Sequence, residues 1–139
     1  MIAPPTLLFR VGETTYGCDI GLTQEIVPLR PVTRLPGAPP SVRGLINVRG
    51  TIVTVLDLGA RLEPARGPSA TGSIVLVRQD ERLVGVIVDE VLDVRVLPPD
   101  DDAETETGAG AITRRVATVD GSPVVILDLD ALIAEVLLV

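Results

Sequence analysis

Apolar residues in this chain come in short bursts, each closed by glycine, proline or acidic residues. Bursts of that length, rich in Val, Ile and Thr, predict strands rather than helices. Residues 6–11 and 15–20 read as two strands about Gly12-Glu13-Thr14. Residues 22–26 read as one helical turn or a bend. Residues 26–35 read as extended, because Pro28 and Pro31 forbid a long helix. The stiff loop Pro36-Gly37-Ala38-Pro39-Pro40 leads into a hairpin, 42–48 and 51–58, in which Gly50 is free to take a positive φ. A polar connection, 61–72, follows. A second hairpin, 73–78 and 82–89, turns at Gln79-Asp80-Glu81. Residues 91–97 form a strand ended by Pro98-Pro99, and a last hairpin, 113–119 and 123–127, turns at Asp120-Gly121. Beyond it Leu129, Leu132, Ile133, Val136 and Leu137 fall at helical spacing. They predict a short helix capped by Asp128 or Asp130, ending near Leu138, with one face packed on the sheets.

The pattern repeats. Gly50-Thr51-Ile52-Val53-Thr54-Val55-Leu56-Asp57-Leu58 matches Gly121-Ser122-Pro123-Val124-Val125-Ile126-Leu127-Asp128-Leu129 at an offset of 71 residues. Gln24-Glu25-Ile26-Val27 resembles Asp89-Glu90-Val91-Leu92, and a Leu-Pro pair follows each. Five short strands per half curl readily into a small barrel that hides most edges. The expectation is two similar five-stranded β-barrels facing each other across a groove, within a single domain spanning residues 1–139. The approximate halves are 15–72, with a strand contributed by the other half, and 73–139 with the terminal helix.

Composition narrows the chemistry. The chain has 139 residues, a net charge of −7 and no His. An acidic balance argues against nucleic acid or an anionic membrane as partner. The absence of His removes Ser-His and Cys-His catalysis and imidazole metal ligation. All twelve basic residues are Arg. A lone cysteine, Cys18, excludes an internal disulfide and reads as a small buried hydrophobe. With only Phe9 and Tyr16 as aromatics, the core is built of Val, Leu and Ile. No apolar run reaches membrane-spanning length and no signal-peptide pattern opens the chain, so a cytoplasmic protein without direct membrane insertion is expected.

Candidate sites are few. Asp57 and Asp128 occupy matching places in the repeat and invite comparison with a proton-sharing carboxylate dyad. That chemistry asks for Thr or Ser and then Gly after each Asp, whereas Leu follows both here. Strand-ending caps are the favoured reading over a carboxylate hydrolase. The acidic stretch 100–110 lacks the ligand alternation of a calcium loop and reads as solvated. No catalytic residue, metal site or cofactor is expected. Glu25 and Arg49 each lie beside a turn among apolar neighbours. Spacing alone leaves two readings open, a bidentate pair fixing two loops or two unrelated surface charges.

One resemblance covers about residues 6 to 138. Tyr16-Gly17-Cys18-Asp19-Ile20, Gln24-Glu25-Ile26, Val42-Arg43-Gly44, Asn47-Val48-Arg49-Gly50 and Leu56-Asp57-Leu58 follow one another in the order seen in CheW-like domains, the coupling proteins of bacterial chemotaxis. Gly85, Val88-Asp89-Glu90-Val91 and Leu97-Pro98-Pro99 continue it. Thr54 departs from it, standing where Pro is common. Thr113-Arg114-Arg115-Val116 also departs, replacing a segment that usually carries Gly. The resemblance implies an all-β fold of two intertwined five-stranded SH3-like barrels with a short C-terminal helix, and no enzymatic activity. It implies an adaptor that joins the cytoplasmic hairpin tip of a methyl-accepting chemoreceptor to the regulatory domain of a CheA-type histidine kinase, beside membrane-bound receptor arrays. A related motility or developmental relay is the alternative. It also implies that the residues matching Gln24, Glu25, Arg43, Gly44, Asn47, Val48 and Arg49 bind partners, Glu25 and Arg49 as a pair.

Overall fold

The computed structural model describes residues 5–97 and 112–137. In chain order the strands are β1 (Thr6–Val11), β2 (Thr14–Asp19), β3 (Thr23–Pro28), β4 (Val42–Val48), β5 (Thr51–Asp57), β6 (Ser73–Gln79), β7 (Arg82–Val88), β8 (Glu90–Arg95), β9 (Thr113–Val119) and β10 (Ser122–Leu127). Helix α1 (Leu58–Leu62) follows β5 and α2 (Leu129–Leu137) follows β10. The acidic stretch 100–110 lies outside the described residues.

The strands divide between two compact units. The central unit spans Leu22–Glu90 and holds a five-stranded sheet in the order β3-β6-β7-β5-β4. The terminal unit takes the described residues on either side of it and holds a sheet in the order β8-β1-β2-β10-β9. The division differs from the expected halves 15–72 and 73–139. β6 and β7 complete the sheet of β3, β4 and β5, while β1 and β2 join β8, β9 and β10. Parallel pairing dictates the exchange: β5 lies along β7 and β10 along β2. A parallel neighbour cannot be the next strand of a hairpin, so each sheet recruits its partner from far along the chain.

In the central unit one face of the sheet supplies a single apolar cluster. Val27 of β3, Ile46 and Val48 of β4, Val53 and Val55 of β5, Ile74 and Leu76 of β6, and Ile87 of β7 pack together. β3 and β4 are the two edges of the strand order, so a cluster that contains both requires the sheet to curl on itself. The terminal unit is built the same way: Leu8 of β1, Ala117 of β9, Val124 and Ile126 of β10, and Leu97 beyond β8 share one cluster. Phe9 and Tyr16 face each other across β1 and β2, their rings 6.1 Å apart. Cys18 is fully buried, as its neighbours predict.

Each parallel seam carries a glycine that is crowded from its antiparallel side. A Cβ on Gly85 would lie 2.8 Å from a methyl of Ile74, and one on Gly17 would lie 2.7 Å from a methyl of Thr6. The two glycines hold equivalent places, one on β7 beside β5 and one on β2 beside β10.

Two local expectations change. Residues 22–26 are neither a helical turn nor a bend: a 3₁₀ turn occupies Ile20–Leu22, and Thr23–Pro28 is a strand on β6 with a bulge at Gln24. The strand expected to run to residue 58 stops at Asp57, where α1 begins. Asp57 caps that helix by accepting a hydrogen bond from the Ala60 N–H at 3.3 Å. Asp128 does the same for α2, accepting from the Ala131 N–H at 3.0 Å. The two aspartates are therefore duplicated N-caps, and α2 buries Leu129, Leu132, Ile133 and Val136 on one face.

Candidate functional site

The β4–β5 turn sets the site. Val48 pairs with Thr51, which leaves Arg49 and Gly50 as the two turn residues. Their φ angles are 48° and 88°. Two positive φ values make the tight hairpin turn whose twist matches the strands, and its first position ordinarily takes Asn, Asp or Gly. Asn47 closes the turn, its Oδ1 accepting from the Gly50 N–H at 2.8 Å. A long side chain in the left-handed region is disfavoured by sterics, so Arg49 is held there against local preference.

Its side chain explains what holds it. Arg49 Nη1 donates to Glu25 Oε2 at 3.1 Å, and Nη2 donates to Glu25 Oε1. Glu25 stands on β3, at the opposite edge of the sheet order from β4. The bidentate contact thus crosses the seam where the curled sheet meets itself. The Arg49 guanidinium holds the Glu25 carboxyl below the usual carboxylate range, with a smaller push from Arg30, and Glu25 in turn raises Arg49. Both groups face solvent: the Arg49 side chain is 70% exposed and that of Glu25 34%. Pairing therefore fixes their geometry more than it stabilises the fold.

Apolar surface flanks the pair. Ile26, next to Glu25, is 41% exposed, and Ile52, just past the turn, is 61% exposed. A hollow of about 460 Å³ includes Ile52 in its lining, with Arg30, Pro31, Thr33, Leu45, Ile46 and Asn47. An oriented ion pair beside exposed isoleucines has the composition of an interaction surface, with apolar contact for affinity and charge for register.

The other expected site residues scatter. Gln24 is exposed at the β3 bulge, where its Oε1 accepts from Arg78 Nε at 2.9 Å. Gly44 takes a φ of +145° at a bulge in β4, and a Cβ there would lie 2.0 Å from the Thr33 carbonyl oxygen. Its place is to admit the 32–33 backbone, which bridges to Leu45 by hydrogen bonds of 2.9 and 2.8 Å. Val48 turns inward. It is 5% exposed and belongs to the barrel core, because β4 alternates and Val48 shares the inward face with Ile46.

Arg43 turns toward Asp57 rather than joining the Glu25–Arg49 pair. Its Nη1 donates to Asp57 Oδ2 at 3.1 Å and its Nη2 to the Ser69 carbonyl at 2.6 Å. Ser69 donates to Asp57 through its N–H at 3.1 Å and its hydroxyl at 3.3 Å. Arg66 extends the network, donating to Ser69 Oγ at 3.0 Å and bidentately to Asp89 at 2.9 and 2.8 Å. Asp89 raises the pKa of Arg66 further above its ordinary value. Asp57, 1% exposed, has its carboxylate committed to these donors and to the helix cap. Sequence reasoning missed Ser69 and Arg66, which lie in the 61–72 connection where no periodicity marks them.

Fold and surface together define a duplicated β-barrel interaction domain. The family model of the CheW-like domain matches residues 5–137. A chemotaxis protein CheW of Rhizobium meliloti is 31% identical over 130 residues, covering 90% of this chain and 84% of that one. A chemotaxis protein CheW of Klebsiella aerogenes is 33% identical over 122 residues, covering 79% and 74%. The crystal structure of the scaffolding protein TtCheW from Thermoanaerobacter tengcongensis superposes with a TM-score of 0.80 at 28% identity, covering 93% of this chain and 86% of that one. The chain belongs to the CheW-like family and is a non-enzymatic scaffold protein of the chemotaxis type. Among the described residues no helix is long and apolar enough to cross a membrane.

Proposed function

We propose that this scaffold couples the cytoplasmic hairpin tip of a methyl-accepting chemoreceptor to the regulatory domain of a CheA-type histidine kinase. In this reading its two units act as one domain over residues 1–139, in the cytoplasm beside receptor arrays. The observation that carries the reading is Arg49, kept in a left-handed turn position and locked bidentately to Glu25, with an exposed isoleucine next to Glu25 in the chain and another just past the turn. A turn built only for folding has Asn, Asp or Gly there. Glu25 and Arg49 hold register, Ile26 and Ile52 supply apolar contact, and Asn47 and Gln24 fix the turn and bulge that present them. Arg43 and Gly44 serve from behind by shaping β4. Most of the relatives' names support the chemotaxis setting over a non-chemotactic motility or developmental relay.

The test is direct. Arg49→Ala and Glu25→Ala leave the fold intact and weaken binding to a receptor-tip fragment or to a kinase regulatory domain, measured by calorimetry. Unchanged affinity of both variants for both partners sinks the assignment.

A further inference from the structure

A cleft of about 450 Å³ opens between the 34–43 and 57–68 segments of the central unit and shares no lining residue with the hollow beside Ile52. Its walls include Pro39, Pro40, Pro64 and Pro68, with Leu35, itself 39% exposed. Proline walls are stiff, so little ordering is required when something enters.

The polar groups of the cleft are Arg34, Arg43 and Asp57. Asp57 is committed to Arg43, Ser69 and the cap of α1, so the charge left over is positive, in a chain whose net charge is −7. Arg43 is already immobilised by Asp57 and the Ser69 carbonyl. Those two bonds leave most of its five N–H donors unused. Arg34 is exposed and has no hydrogen bond or ion pair among the described residues. A fixed guanidinium with spare donors beside one that is unpaired among the described residues, against apolar walls, selects a carboxylate attached to an apolar neighbour.

We infer that this cleft docks an acidic, apolar-flanked segment of a partner protein, its carboxylate on Arg34 and Arg43 and the adjoining apolar side chain against the proline walls. The docking point is independent of the Glu25–Arg49 face, and each stands or falls alone.

The chain has no Trp, so a Trp-bearing peptide reports its own binding. The probe is the capped pentapeptide Leu-Glu-Trp-Glu-Leu, with Leu-Gln-Trp-Gln-Leu as control. Fluorescence titration gives the affinity, and amide chemical shifts of the full chain give the place. The expected result is saturable binding with shifts at Leu35, Ala38 and Gly67. Either Arg34→Glu or the Gln control weakens it by about tenfold, and salt weakens it too. Arg34 makes no bond among the described residues, so its variant is expected to stay folded, as circular dichroism checks. No saturation, equal binding of the Gln peptide, or shifts gathered at Glu25 and Ile52 overturns the inference.

Discussion

The two units carry the same seam with its charges reversed. In the central unit the carboxylate is on the strand and the guanidinium on the turn: Glu25 of β3 meets Arg49. In the terminal unit Arg95 of β8 donates to Asp120, in the β9–β10 turn, at 2.8 Å. The turns are alike, with φ of 48° and 88° at Arg49 and Gly50 and of 50° and 81° at Asp120 and Gly121. Asp suits that first position and Arg does not. Both units therefore carry a seam-crossing charge pair at this place, and the scaffold does not require an arginine in the turn. The deviation in the central unit is what the proposed contact surface rests on.

Breaking the duplicated caps separates the units most. Asp57→Ala removes the cap and strands Arg43 beside the unanswered Ser69 N–H, costing about 3 kcal/mol. Asp128→Ala removes a cap only and costs about 1 kcal/mol. Urea unfolding of both variants measures the gap, and equal losses mean that the Arg43 network adds nothing.

The two crowded glycines should behave alike. Gly85→Ala and Gly17→Ala each push a Cβ into a neighbouring methyl and cost about 2 kcal/mol. A thermal melt in which only one of them loses stability breaks the equivalence of the two barrels.

At the turns the effects on stability become small and those on binding remain. Asn accepts a left-handed backbone, so Arg49→Asn shifts the melting temperature by no more than about 3 °C while weakening partner binding about tenfold. Asp120→Asn changes the melting temperature as little and leaves that affinity unchanged. Loss of binding in both variants makes the seams functionally equivalent and removes the distinction.

The smallest effect is a titration. Glu25 is held low chiefly by Arg49, whereas Asp93 is held low first by the Val94 N–H and only then by Arg95. A lowered folded pKa means that each charge interaction is fully present above the unfolded value. It is lost as pH falls through the folded one. Carboxyl-carbon NMR shows the Glu25 midpoint below 4.5, returning to the ordinary range in Arg49→Ala. In Arg95→Ala the Asp93 midpoint stays below its ordinary value. An unmoved Glu25 midpoint contradicts the pairing.

The hairpins were legible because turn glycines and acids punctuate β-branched runs, and the Asp57 and Asp128 caps were legible because the motif is duplicated. Strand partnership was not, since the β5–β7 and β10–β2 pairs are non-local and leave no mark in either strand. β3 was obscured by its bulge at Gln24, which breaks the alternation, and α1 by its length of five residues. Val48 was readable, because Gly44, Ile46 and Val48 alternate inward along β4, but its place inside a motif drew it into the site. The Glu25–Arg49 contact crosses 24 residues and two sheet edges. Spacing left it undecided between a bond and two unrelated charges, and the curl of the sheet supplies the missing link.

The most direct test exchanges the charges. Glu25→Arg with Arg49→Glu rebuilds the pair in the polarity of Arg95 and Asp120. If the pair orients groups that a partner reads, the exchanged protein melts like the parent but fails to bind the receptor tip or the kinase regulatory domain in calorimetry. Parental affinity for both in the exchanged protein contradicts the account.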